Sequence, residues 1–282
     1  MPPTPADVSA CVARALAEDI GSGDVTAPLV RADGQARARV IAREAAVICG
    51  RPWVDEVFRQ LDAAVRIDWK IAEGQAVAAD QEVYTLAGAA RSLLTGERCA
   101  LNFLQTLSAT ATATRAFVDA VSGTGCAIVD TRKTLPGLRN AQKYAVVCGG
   151  GANHRIGLYD GILIKENHIA AAGGIAQAIA AARALKAGVP LMTEAENLDE
   201  CRAALAADVD LVLVDEFSLA DLRQAVALTR AHRAAGGRTL IEYSGGATLA
   251  NVRGYAECGV DRISVGSITK HVRGVDLSMR LL

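Results

Sequence analysis

Six short apolar runs in the second half of the chain each end where chemistry could gather. They are Ala127–Asp130, Ile162–Lys165, Pro190–Glu194, Leu211–Asp215, Thr239–Glu242 and Arg262–Gly266. Their last residues are Asp130, Lys165, Glu194, Asp215, Glu242 and Gly266, and all but the glycine are ionisable. A single such charge is usually a solvated loop residue. A succession of them at strand ends is expected to line one mouth, where titrating groups perturb one another. Cations crowd the same stretch: Arg132, Lys133, Arg139, Lys143, Arg155 and Lys165, with His154 among them. Arginine forks match carboxylates and phosphates bidentately, so converging cations imply a polyanionic ligand. Glu194, Glu196, Asp215 and Glu216 supply the opposite charge. Carboxylates beside phosphate-binding cations point to Mg²⁺ held jointly by protein and substrate oxygens, or to ribose hydroxyls. Ser244-Gly245-Gly246 follows the run Thr239–Glu242, and Ser264–Gly266 ends the last run. Small residues there let backbone N–H groups approach a phosphate. These parts imply a substrate with a 5-phosphate, a ribose and an Mg-bound pyrophosphate, plus a separate anionic partner.

Such residues need a scaffold that gathers strand ends. The runs recur at roughly the length of a βα unit, about 21–35 residues. Near-continuous apolar strands such as Leu211–Val214 suit a parallel sheet covered on its outer face. Six units predict an incomplete or smaller α/β barrel, with a doubly wound sheet as the alternative. No G-x-G-x-x-G follows the first run, which counts against a dinucleotide fold. Before about residue 110 the pattern is mixed. Helical spacing covers Asp7–Asp19 and Pro52–Leu61, a turn lies at Gly21–Asp24, and half-buried strands are expected at Ala36–Arg43, Val65–Ile71 and Asp80–Leu86. This predicts a small α+β domain. A long helix from about Gly96 to Val121, with Leu101, Leu104, Leu107 and Ala111 on one face, joins the two parts. Its small-residue stretch Ser108–Thr114 permits close packing, and Cys148–Gly151 reads as a hinge or helix cap.

Composition narrows the function classes. The 282 residues are 51% hydrophobic and 22% charged, which excludes disorder, and the 4% aromatic content leaves the core to aliphatic packing. A net charge of −1 gives no field favouring nucleic acid or an anionic membrane. No apolar stretch is long enough to span a bilayer, and the first residues lack a secretory pattern, so a cytoplasmic protein is expected. Seven scattered cysteines without a C-x-x-C read as reduced thiols, and with four histidines they make no zinc pattern. A structural metal site is therefore not expected.

The segment DTRKTLPGLRNAQKYAVVCGGGANHRIGLYDGILIKENHI (Asp130–Ile169) closely resembles the long signature of the quinolinate phosphoribosyltransferases. Further matches extend over nearly the whole chain: EDIGSGDVT (Glu18–Thr26), GERCALNFLQTLS (Gly96–Ser108), TEAENLDE (Thr193–Glu200), VDEF (Val214–Phe217), EYSGG (Glu242–Gly246) and GVDRISVGSITK (Gly259–Lys270). The resemblance implies transfer of phosphoribosyl from phosphoribosyl pyrophosphate (PRPP) to quinolinate, with loss of CO₂, in de novo NAD biosynthesis. It implies an open seven-stranded α/β barrel with an N-terminal α+β sandwich domain. The boundaries would be 1–110 for the sandwich and 111–270 for the barrel, with the tail 271–282 packing on the sandwich. It also implies a homodimer with shared active sites, in some members assembled to a hexamer, and Mg²⁺ as cofactor.

Carried over residue by residue, the resemblance places Arg132, His154, Arg155 and Lys165 at the quinolinate carboxylates. Arg98 would reach in from the partner subunit. Thr131 lies beside them in the substrate-binding set. Lys133, Glu194 and Asp215 would contact the phosphoribosyl group, and Glu194 and Asp215 are the candidate protein ligands of a metal held mainly by PRPP. Lys133, Lys165, Glu194 and Asp215 form the expected catalytic set. Ser244, Gly245, Gly246, Ser264, Val265 and Gly266 would hold the 5′-phosphate. Departures from the common pattern are Thr193-Glu194-Ala195-Glu196, Glu216, Tyr243 and Lys270-His271. Two rival readings stand beside this one. The first is a Schiff-base aldolase-type barrel with Lys165 as nucleophile. The second is a molybdenum-transport-associated paralogue of the same fold.

Overall fold

The computed structural model describes residues 1–282. In chain order α1 (Val8–Ile20) and a 3-10 turn at Ala27–Leu29 precede β1 (Gln35–Ala42), β2 (Ala46–Val47) and α2 (Arg51–Leu61). Then come β3 (Arg66–Trp69), β4 (Ala76–Val77), β5 (Glu82–Ala89), α3 (Ala90–Ala120), β6 (Ala127–Val129) and α4 (Arg139–Cys148). Alternation follows with β7 (Ile162–Ile164), α5 (Glu166–Ala172), α6 (Ile175–Ala184), β8 (Leu191–Ala195), α7 (Leu198–Ala206), β9 (Leu211–Asp215) and α8 (Leu219–Ala234). The chain ends with β10 (Leu240–Ser244), α9 (Val252–Ala256), β11 (Arg262–Ser264), α10 (Ser267–Lys270) and β12 (Leu277–Leu281). Two compact units result: Met1–Arg115 with Lys133–Gly150 and Ser267–Leu282, and Ala116–Arg132 with Gly151–Gly266.

The first unit holds an antiparallel sheet of order β12-β1-β5-β3 and the small pair β2-β4. Alternation makes β1 half-buried: Ala38, Val40 and Ala42 face the core, and polar neighbours face out. β12 pairs with β1 from Ala38↔Leu281 to Ala42↔Leu277, so the end of the chain forms an edge of this sheet. α1 buries Val8, Cys11, Val12 and Leu16 at helical spacing. α2, with Pro52 in its first turn, buries Trp53, Val54, Val57 and Phe58. These meet Leu93, Leu101, Leu104 and Leu107 of α3 in one aliphatic core. α3 begins at Ala90, earlier than its pattern suggests, because Gly96 interrupts the periodicity without breaking the helix. Small residues on α3 pay off at Gly149, which caps α4. A Cβ there would lie 2.5 Å from the Ala111 carbonyl oxygen and 2.7 Å from Thr114 Cβ.

The second unit is built on a parallel sheet of order β6-β11-β10-β9-β8-β7. Strands β7 to β11 follow one another in space as in sequence, and β6, the first in the chain, sits beside β11, the last. A doubly wound sheet reverses order near its middle; this one winds in a single sense, as a barrel does. Ala152 forms an isolated parallel bridge to Val129 on the free side of β6, adding a seventh position to the six strands. β8 is buried along its length, and so is β9 from Leu211 to Val214. Side-chain caps turn two strand ends into helices. Asn197 accepts from the Glu200 N–H before α7, and Ser218 from the Asp221 N–H before α8.

One strand-end expectation is corrected. β10 runs on to Ser244, so Glu242 lies mid-strand and is fully buried instead of ending the strand at the mouth. A charge within an apolar run reads as its end, but the strand continues through it. Tyr243 continues the strand as a 2% exposed residue.

Candidate active site

The register of the second sheet brings the strand-end residues to one edge. Ile164 pairs with Thr193, Thr193 with Val212, Asp215 with Ser244, Tyr243 with Ile263, and Ser264 with Val129. Lys165, Glu194, Asp215, Ser244, Val265 and Asp130 therefore follow one another along the C-terminal ends of the strands, where parallel barrels gather their chemistry.

At β6, Asp130 is fully buried and organises the loop that crosses it. Its carboxylate accepts from Asn153 Nδ2 at 2.6 Å and from the His154 N–H at 2.9 Å. Its own N–H donates to the Ala152 carbonyl at 3.2 Å. The Arg155 N–H donates to His154 Nδ1 at 2.8 Å, which leaves Nε2 to carry the proton of the neutral ring. Nε2 lies 3.7 Å from Oε2 of Glu242, and Arg262 Nε donates to the same oxygen at 2.5 Å. Burial raises the Glu242 carboxyl above its usual range, and Asp130 adds to that; Arg262 and Ser264 oppose it. Asp130 and Glu242 are thus interior supports for His154. Neither this support nor the part played by Asn153 and Arg262 follows from residue type. The strand parity of Ile241-Glu242-Tyr243-Ser244 was the available signal.

The Arg155 guanidinium donates to the Gly161 carbonyl at 2.9 Å. Its pKa is lowered first by burial and then by the charge of Arg132. Two guanidinium groups close enough to influence each other can together take an anion with more than one charge. Lys165 Nζ lies 3.1 and 3.2 Å from the two carboxylate oxygens of Glu194, itself only 7% exposed. Burial raises the Glu194 carboxyl most, nearby Asp215 adds to it, and Lys165 opposes both.

The Ser244–Gly246 turn has its own constraint. Glu216 follows Asp215 with φ 54°, and its N–H donates to the Ser244 carbonyl at 2.8 Å. The positive φ is one a glutamate side chain disfavours, and the hydrogen bond to the Ser244 carbonyl holds it there. Gly245 has φ 111°, and a Cβ on it would come within 2.6 Å of Glu216 Cγ. Tyr243 stacks on Tyr255 of α9, with ring centroids 4.0 Å apart, so its bulk goes to the helix side of β10. Ser264 is buried, and the Val265 N–H donates to the Val129 carbonyl at 2.9 Å. Thr131 and Gly266, both half-buried, flank these strands.

Two expected site residues belong to the other unit. Arg98 is exposed on α3 and lines a cavity of about 570 Å³ with Asp19, Asp24, Thr26 and Thr95. Lys133 is exposed, and its carbonyl accepts from Thr269 Oγ1 at 2.8 Å.

Comparison with known proteins matches two family models: "Quinolinate phosphoribosyl transferase, N-terminal domain" over residues 24–108 and the corresponding C-terminal domain over residues 110–280. The probable nicotinate-nucleotide pyrophosphorylase [carboxylating] of Synechocystis is 41% identical over 95% of this chain and 90% of its own. The Mycobacterium leprae nicotinate-nucleotide pyrophosphorylase [carboxylating] is 42% identical over 96% and 95%. The solved structure of the Francisella tularensis nicotinate-nucleotide pyrophosphorylase superposes with a TM-score of 0.94 at 45% identity, covering 99% of this chain and 98% of that one.

Proposed function

This chain belongs to the quinolinate phosphoribosyl transferase family, and from that premise we infer that it makes nicotinate mononucleotide from quinolinate and PRPP. The reaction releases pyrophosphate and CO₂ and supplies NAD biosynthesis. The carrying observation is that Arg132 and Arg155, each three residues beyond the bridged pair Val129 and Ala152, lie on the same strand edge as the Lys165–Glu194–Asp215 cluster. One part suits a dicarboxylate and the other a ribose with a departing pyrophosphate.

The pyridine nitrogen already holds a lone pair, so the site needs no strong general base. Bond breaking at C1′ ahead of attack builds positive charge on the ribose, which Glu194 and Asp215 stabilise. The nitrogen then becomes pyridinium and accepts the electrons left when the adjacent carboxylate departs as CO₂; a proton takes that position. Arg132, Arg155, His154 and Lys165 orient quinolinate, and Lys133 meets the pyrophosphate. Lys165 Nζ is engaged by both Glu194 oxygens, an ion-pair partner instead of a free amine nucleophile; this disfavours Schiff-base chemistry. Mg²⁺ suits the Glu194–Asp215 carboxylates, because this ion takes one or two carboxylates together with substrate phosphates. Bound there, it supplies charge neutralisation for the leaving group.

Production of nicotinate mononucleotide and CO₂ from quinolinate and PRPP, with nicotinate as the competing acceptor, tests the activity. Absence of product from quinolinate overturns it. We also infer a homodimer in which Arg98 completes the partner's site, located in a reducing cytoplasm that suits seven free thiols. Arg98→Ala and Lys165→Ala proteins, each nearly inactive, should regain roughly a quarter of wild-type activity when co-refolded in equal amounts, by two-fold counting. Verified mixed dimers without activity would place Arg98 in its own chain's site. No helix is long and apolar enough to cross a membrane.

A further inference from the structure

Three side chains from distant segments of the first unit converge where the reaction has no use for them. Sγ of Cys49, Sγ of Cys148 and a carboxylate oxygen of Glu73 all lie within 4.8 Å of one another. Cys49 is fully buried, Cys148 is 5% exposed, and Glu73 is half-buried. We propose that Cys49, Glu73 and Cys148 form a binding site for a soft divalent cation of the zinc class.

The site is built before any ion arrives. Cys49 is fixed by its backbone: its N–H donates to Ser108 Oγ at 3.0 Å, and its carbonyl accepts from the same hydroxyl at 3.2 Å. Glu73 is oriented by two N–H groups at the start of α2, from Gly50 to Oε1 at 2.7 Å and from Arg51 to Oε2 at 3.1 Å. A ligating carboxylate is normally held by such outer bonds, and each oxygen keeps a second lone pair for a metal. The next residue, Gly74, donates its N–H to the Ile48 carbonyl at 2.8 Å, tying the Glu73 turn to the strand that leads into Cys49. Cys148 ends α4, where the Gly149 cap packs against α3.

Ligand chemistry selects the ion. Two sulfurs and one oxygen are a soft to borderline set that suits Zn²⁺ and not Mg²⁺ or Ca²⁺. Binding as thiolates releases a proton from each thiol to bulk water as two S–M bonds form. Tyr144 borders the same cluster, beside Glu73 and the two thiols. The fourth coordination position is left to that hydroxyl or to water. No spacing rule reveals this site, since zinc patterns are read from ligands a few residues apart.

The test uses the full-length reduced chain with excess Mg²⁺, probed with Co²⁺ and Zn²⁺. One Co²⁺ per chain with thiolate-to-cobalt charge-transfer absorption is expected. That absorption is lost in Cys49→Ser and Cys148→Ser and kept in the Cys11→Ser/Cys99→Ser control. Glu73→Gln should weaken binding by at least the roughly 10–100-fold that loss of an outer-shell partner costs. X-ray absorption on zinc-loaded wild type needs no variant and should count two sulfur neighbours. Failure of the reduced chain to bind, a bound ion without sulfur neighbours, or absorption that survives Cys148→Ser overturns the proposal. So does a Cys49–Cys148 disulfide whose reduction restores no metal binding.

Discussion

Replacing Lys165 by methionine keeps most of the side-chain length and removes the charge that opposes the other influences on Glu194. Burial and Asp215 both raise that carboxyl; Lys165 alone among the charged neighbours lowers it. At 3.1 Å and an effective dielectric of about 20, the attraction is about 5 kcal/mol. The Lys165 side chain is 44% exposed, so water screens much of this, and about 2 kcal/mol is a reasonable remainder. Losing it pushes the Glu194 carboxyl further up in Lys165→Met. ¹³C NMR of glutamate-labelled, ligand-free protein reads the midpoint, with Glu194→Gln assigning the resonance. Stability gives a second readout. Glu194 titrates above its ordinary value of 4.5 in the folded protein. Its contribution is therefore fully present below the unfolded value and lost as pH rises through the folded one. A higher folded pKa deepens that loss. The stability gap between variant and wild type should widen as pH rises above the ordinary glutamate range and reach a further ~2 kcal/mol past both folded midpoints. A Glu194 midpoint that does not rise, or stability curves that stay parallel across this range, refutes the reasoning.

Arg155→Ala should lower kcat/KM for quinolinate about 10–150-fold, the equivalent of roughly 1.5–3 kcal/mol for a lost bond to a charged group. It should also erode the preference over nicotinate; comparable kcat/KM for the two acids in the wild-type enzyme would refute the dicarboxylate reading. Gly245→Ala places a Cβ 2.6 Å from Glu216 Cγ at φ 111°, straining the turn by about 1–3 kcal/mol. KM for PRPP should rise, and an unchanged value means the turn does not hold the phosphate. Gly149→Ala forces a Cβ to 2.5 Å from the Ala111 carbonyl, and denaturant unfolding should report a loss of about 1–3 kcal/mol.

What could be read from the sequence divides along physical lines. The βα alternation was legible because each strand is a short apolar run and each helix has its own periodicity; β9 follows the pattern from Leu211 to Asp215. The strand-end logic found Lys165, Glu194 and Asp215 because a parallel sheet displays its C-terminal ends together, whatever the loop lengths. It failed at Glu242, where a buried carboxylate is tolerated through Arg262, Ser264 and His154. Burial of charge depends on partners from other strands, and no local pattern encodes it. Glu216 is a related case: its residue type gives no hint of the positive φ that the Ser244 carbonyl contact supports.

The cysteines show the same limit from the opposite side. Their scatter along the chain argues against a metal site, yet scatter in sequence measures only loop length. Cys49, Glu73 and Cys148 meet because Ser108 on α3 holds Cys49, the start of α2 holds Glu73, and the α4 cap holds Cys148. Each anchor is an ordinary structural contact that the fold needs in any case. Convergence of ligands there costs the fold little, and it leaves no mark on the spacing of the ligands themselves. Chain connectivity gives the location its interest. The residues after Cys148 run through Gly149–Ala152 directly into Asn153, His154 and Arg155, so an ion at Cys148 would fix the point from which that loop departs.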